Sequence, residues 1–114
     1  MTNIPRFQVR FYKSDAGNEP VREWLLSLSD EEKKKIGEDI KTVQFGWPIG
    51  MPVCKKVYKD LWEVRSSLHG KIARVIFTVE GTTIYLLHGL IKKTQKLPQK
   101  DLDTAKKRLA DLRG

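Results

Sequence analysis

Three apolar runs separated by very short breaks constrain this chain more than any other feature. Leu61–Leu68 alternates, with Trp62, Val64 and Leu68 on one face and Glu63, Arg65 and Ser67 on the other; this is the period of two that a half-buried strand requires. Lys71–Val79 is a nearly continuous β-branched run, and Thr83–Ile91 is a third, strongly apolar one. Only His69-Gly70 and Glu80-Gly81-Thr82 stand between them. Turns of two or three residues join antiparallel neighbours, because a parallel crossover needs a far longer connection. Residues 61–91 are therefore expected to form a three-stranded antiparallel meander.

The flanks read as helices around one more strand. Phe7–Tyr12 alternates apolar and polar, and Asp15–Asn18 is turn-like, with Asn18 placed to cap a helix through Glu19–Leu26. Pro20 suits its first turn, where a missing backbone N–H costs nothing. Ser29-Asp30-Glu31-Glu32 has the spacing of a capping box. Ile36, Ile40 and Val43 follow on one helical face, and Phe45-Gly46-Trp47-Pro48 stops the helix. Gly37 inside it costs roughly 1 kcal/mol relative to alanine. A last helix is expected after Pro98, with Leu102, Ala105, Leu109 and Leu112 as its core stripe. The predicted order is β-α-α-β-β-β-α, an α+β domain over 1–114 with its helices on one face of the sheet.

At 114 residues the chain has room for one core and no separate cofactor module. The single Cys54 cannot form an internal bridge, no apolar run approaches the roughly 20 residues of a membrane helix, and Met1–Arg6 lacks the layout of a secretory signal. A cytoplasmic protein is expected. The formal charge of +8 is unevenly placed. Residues 1–54 carry eight basic and eight acidic side chains, residues 55–91 six and three, and residues 92–114 eight and three. A field concentrated on one part of a small domain draws polyanions, nucleic acid before an anionic membrane; the bland alternative is a lysine-rich surface that serves solubility.

The inventory excludes more than it permits. One cysteine and two histidines without zinc-type spacing argue against a metal site, and no phosphate-cradling glycine loop supports a nucleotide cofactor. No nucleophile elbow surrounds Ser66-Ser67. What remains is a set of cations on strands and at a strand end: Arg65, Arg74, Lys92, Lys93 and Lys96, joined by His88. A guanidinium held mid-strand offers a planar fork of donors to a phosphate or carboxylate. Arg65 is therefore either a phosphate ligand or the salt-bridge partner of Glu63. Arg74, between Ile72 and Ile76 on its own face, is either paired internally or lining a cleft. His88, placed with Leu86 and Leu90, is either a hydrogen-bonded core residue or a group titrating near neutrality. Lys92 and Lys93 are either solvated or close enough to lower one another's pKa for base chemistry. His69 reads as a turn residue, and Trp24, Trp47 and Trp62 as core.

Leu61-Trp62-Glu63-Val64-Arg65, Lys71-Ile72-Ala73-Arg74-Val75-Ile76-Phe77 and His88-Gly89-Leu90-Ile91-Lys92-Lys93-Thr94-Gln95-Lys96-Leu97-Pro98 together resemble the phage-derived HigB-like toxins of the RelE/ParE superfamily. Ala105-Lys106-Lys107-Arg108 continues the likeness. The resemblance implies a compact RelE/ParE-like fold of helices on a twisted, mainly antiparallel sheet. It also implies messenger-RNA endonuclease activity on translating ribosomes, without metal or cofactor, and neutralisation by a HigA-like helix-turn-helix antitoxin. Arg65 and Arg74 match the family's strand arginines, and Lys92 and Lys93 its basic strand end. His88 falls where related toxins place active-site residues. Lys71, Lys96 and Lys100 are expected to add RNA-binding charge. The chain departs from members with a C-terminal histidine or tyrosine, since it ends Asp111-Leu112-Arg113-Gly114. The expected chemistry is attack of a ribose 2′-hydroxyl on the adjacent phosphorus, giving a 2′,3′-cyclic phosphate. Two rivals stand beside it: a ParE-like toxin that inhibits a topoisomerase and cleaves nothing, and a non-catalytic nucleic-acid-binding module.

Overall fold

A computed structural model describes residues 6–50 and 52–114. The opening segment 1–5, on which the reading of a missing signal partly rests, lies outside the described residues. The elements are β1 (Gln8–Phe11), α1 (Pro20–Leu26), α2 (Asp30–Gly46), β2 (Cys54–Tyr58), β3 (Leu61–Leu68), β4 (Lys71–Glu80), β5 (Thr83–Lys92) and α3 (Gln99–Arg113). They build one mixed sheet in the order β1-β5-β4-β3-β2.

The meander is present, and its turns explain its register. Leu68 pairs with Lys71 across His69-Gly70, and Glu80 with Thr83 across Gly81-Thr82, so the second turn has two residues rather than three. Gly70 and Gly81 take φ of +68° and +60°, the left-handed values that hairpin turns of this length demand and that glycine adopts without a Cβ penalty.

One feature corrects the expected order, and a second makes the mainly antiparallel sheet mixed. Cys54–Tyr58 is an additional antiparallel edge strand on β3, with an irregularity between Lys56 and Tyr58. β1 joins β5 in parallel, so the sheet is mixed. The helices also occupy both faces, not one. Val21 of α1 and Ile36 and Val43 of α2 pack with Val64, Ala73, Val75, Phe77, Ile84 and Leu86. Ala105 and Leu109 of α3 pack with Leu61, Ile76, Leu87 and Leu90 on the opposite side. Neighbours such as Val75 and Ile76 thus feed different cores, which is why β4 reads as continuously apolar.

Capping follows the local chemistry. Ser29 accepts from the Glu32 backbone N–H at 3.2 Å and Glu32 accepts from that of Ser29 at 3.0 Å, completing the box. Asn18 does not cap α1: it is held in the preceding turn by its exchange of bonds with Ser14, so Glu19 stands at the cap, its N–H donating to the Glu23 carboxylate. Pro98 is the cap residue of α3 rather than a member of its first turn. The tryptophans are core-packing side chains: Trp47 meets Trp62 and Phe77 edge-on at 4.9 and 5.4 Å, fixing the end of α2 to the sheet. Trp24 of α1 lies on β5 over Gly89, where a Cβ would come within 2.3 Å of its ring.

Candidate functional site

The sheet face under α3 collects the charged strand residues. Arg65 and Arg74 are direct cross-strand partners, so their side chains rise side by side. Two like charges in that relation repel. Glu63, two residues from Arg65 on the same face, lies between them: its Oε1 is 3.6 Å from Arg65 Nε and its Oε2 is 3.4 Å from Arg74 Nε.

The two guanidiniums nevertheless differ in what they can reach. The Arg74 side chain is 0% exposed. Its Nη2 donates to the carbonyls of Thr94 and Gln95 at 2.6 and 2.7 Å, tying the loop after β5 down over the sheet. Of the two readings open for Arg74, this geometry matches internal pairing. The Arg65 side chain keeps 17% of its surface exposed, and its Nη2 donates to Gln95 Oε1 at 3.1 Å. Arg65 is the guanidinium a ligand can touch, and Arg74 stands behind it. Burial pushes the Glu63 carboxyl above its usual range, against the pull of Arg74, Arg65 and Lys55; burial likewise pulls Arg74 down.

His88 faces α3, and a bulge puts it there. Ile76 pairs with His88 while Phe77 pairs with Leu86, leaving Leu87 as the extra residue; such a bulge turns two consecutive side chains to one side. His88 therefore does not share a face with Leu86, whose side chain lies in the other core. His88 Nε2 is 2.6 Å from Asp101 Oδ1, and Arg108 Nη1 lies 3.2 Å from His88 Nδ1 and 2.8 Å from the Leu87 carbonyl. A guanidinium only donates. Nδ1 is thus the acceptor, and Nε2 carries the proton given to Asp101. Both ring nitrogens are engaged in fastening α3 to β5.

The lysines separate into groups. Lys92 ends β5 opposite Ile72, on the face that carries Arg74, and both it and Lys93 are exposed, without an acidic partner among the described residues. Lys96 lines a groove of about 460 Å³ between β2 and the start of α3, together with Lys55, Lys56, Glu63, Gln95 and Leu102. Lys100 is exposed in the first turn of α3. Lys71 does not join them: it pairs with Glu32 of α2 at 2.9 Å, on the other side of the sheet. The cavity there, about 660 Å³, mixes Glu31, Glu32 and Glu38 with Lys34, Lys35 and Lys71, so its formal charges cancel. His69, almost fully exposed in its turn, sits 3.7 Å from Glu31. Sequence reasoning missed Lys55 and Lys56 because β2 went unread; the Lys-Lys pair ahead of Leu61 was the available signal, whereas Gln95, in the loop after β5, was passed over as an uncharged neighbour of the lysines. Cys54 is buried, and burial pushes its thiol up to about 11, which keeps it out of thiolate chemistry at neutral pH.

Fold and groove define a small mixed-sheet α+β domain whose basic surface flanks a pair of strand arginines. Residues 23–110 match the family described as phage-derived protein Gp49-like (DUF891). The chain belongs to that family, which is part of the RelE/HigB-like toxin superfamily and is associated with toxin ribonucleases. A comparison with curated proteins returns no match. Among the described residues, no helix is long and apolar enough to cross a membrane.

Proposed function

We propose that the chain is the toxin of a toxin–antitoxin pair and acts as a metal-independent endoribonuclease on messenger RNA, at translating ribosomes. The observation that carries this reading is the cross-strand pairing of Arg65 with Arg74 beside a groove that carries Lys55 and Lys96. Arg65 donates to the non-bridging phosphoryl oxygens, where charge accumulates as the 2′-oxygen attacks. Arg74 is a positioning residue, holding Arg65 through Glu63 and the Lys93–Leu97 loop through its carbonyls. Lys92 and Lys93 supply electrostatic or base assistance. His88, with both nitrogens occupied, keeps α3 in place. The 2′-hydroxyl loses its proton and bonds to phosphorus, the P–O5′ bond breaks, and the leaving oxygen takes up a proton. The products are a 2′,3′-cyclic phosphate and a 5′-hydroxyl. A HigA-like helix-turn-helix antitoxin would neutralise the toxin by presenting acidic surface to the groove.

Inducible expression with genome-wide mapping of transcript ends tests the reading. New 5′-hydroxyl ends inside coding regions, with growth arrest, support it. Growth arrest with intact transcripts and DNA damage would replace it with topoisomerase inhibition, and steeply salt-dependent RNA binding without toxicity would replace it with a binding module.

A further inference from the structure

On β2 the groove reaches Val57, one residue short of Tyr58. Lys55 stands opposite Glu63 on the α3 side of the sheet. Beyond it the bulge after Lys56 turns both Val57 and Tyr58 toward α3: Val57 packs into the core that contains Ala105 and Leu109, and Lys106 Nζ lies 4.1 Å from the Tyr58 ring centroid. Tyr58 is 48% exposed. Burying such a ring is favourable, and this one pairs across the ladder with Leu61 yet remains open to solvent. Leu26 and Phe45 are the other large apolar side chains exposed among the described residues; Tyr58 alone of the three directly follows a groove-lining residue, Val57.

We propose that Tyr58 is a nucleobase platform: a single-stranded RNA with its scissile phosphate at Arg65 follows β2 past Lys55 and stacks a base on the Tyr58 ring. The inference rests on the ribonuclease reading and assigns a binding subsite to it. Arg65 N–H donates to the Val53 carbonyl, so Arg65 and Tyr58 are separated by five residues of strand, roughly 16 Å at 3.3 Å each. A few nucleotides cover that distance. A cation over an exposed ring is held weakly, so the Lys106 ammonium can shift from the ring to the phosphate of the stacked nucleotide. Stacking accepts any base, because every base has a π-face. Tyr58 therefore adds affinity and register without imposing a sequence.

The test uses the full chain and short fluorescent 2′-O-methyl RNA, which lacks the nucleophile, in an intact form and in forms with a single abasic position. Tyr58→Ala should weaken binding on the order of tenfold and leave the salt dependence unchanged, since no cation is lost. Tyr58→Phe should bind like wild type. One abasic position should cost wild type as much as Tyr58→Ala costs, and cost Tyr58→Ala nothing more. Equal affinity of Tyr58→Ala and wild type overturns the proposal, as does equal sensitivity of both to every abasic position. If Tyr58→Ala loses antitoxin binding but not RNA binding, the ring is a protein contact and the proposal fails. Transcript cleavage in cells without oligonucleotide binding sinks this inference alone; intact transcripts sink the ribonuclease reading with it.

Discussion

Arg65 and Arg74 share a face and a carboxylate, yet their burial gives them different work. Removing one member of a buried, paired set leaves the others uncompensated and costs about 3–5 kcal/mol. Arg74→Ala should therefore lower the midpoint of denaturant unfolding strongly and release the Lys93–Leu97 loop, which faster tryptic cleavage after Lys93 and Lys96 would report. Arg65→Ala should cost less, because Arg74 still faces Glu63 and the Arg65 side chain is partly exposed, and its main deficit should appear in chemistry. Cys54 gives a prediction in pH. Its buried thiol sits at about 11, above the roughly 8.5 of a free cysteine, so the folded state holds a proton that the unfolded chain has released. Stability from this residue is complete below the unfolded value and declines as pH rises toward the folded one, by an amount on the order of 2 kcal/mol. Equilibrium unfolding at pH 8 and pH 10 should show the decline in wild type and its loss in Cys54→Ala.

At the level of elements, α1 is positioned by what β5 omits. Gly89→Ala places a methyl within 2.3 Å of the Trp24 ring; such overpacking costs about 1–3 kcal/mol. Trp24→Leu should cost stability in the wild-type background but much less in the Gly89→Ala background, which a double-mutant cycle by thermal unfolding would resolve. The C-terminal helix is pinned along its length, by Asp101 and Arg108 to His88, by Asp111 to Tyr12, and by Arg113 to Glu80 and Asp60. Not all of this was legible in the residue order. The meander was, because Gly70 and Gly81 leave no space for anything but hairpins. The capping box was, because its partners are local. β2 was not: Cys54-Lys55-Lys56-Val57-Tyr58 shows no clean alternation, since a bulge falls inside it and one side of the strand lacks a neighbour among the described residues. The face of His88 was misread for the same reason, since the bulge at Leu87 shifts the period by one residue. The site was half legible. The pairing of Arg65 with Arg74 follows from the turn at His69-Gly70, whereas the burial of Arg74 depends on a loop whose path no pattern announces.

Across the whole molecule, the charge asymmetry noted in the sequence becomes geometry. Lys55 and Lys96 line one groove, while the acidic Glu31, Glu32 and Glu38 accompany the lysines of the opposite face. Binding of single-stranded RNA should weaken with salt by about 0.7 logarithmic units per tenfold increase for each phosphate neutralised. Lys96→Ala should reduce that slope by about this amount, and Lys71→Ala, on the far face, should leave it unchanged; fluorescence titrations at several salt concentrations would distinguish them. The most direct measurement of the central claim compares RNA cleavage by wild type and Arg65→Ala, added to translating ribosomes in equal folded amounts verified by thermal unfolding. The account predicts 5′-hydroxyl product ends and a rate lowered on the order of 10²–10³ in the variant. Equal cleavage by a folded Arg65→Ala, or no cleavage by wild type, would contradict it.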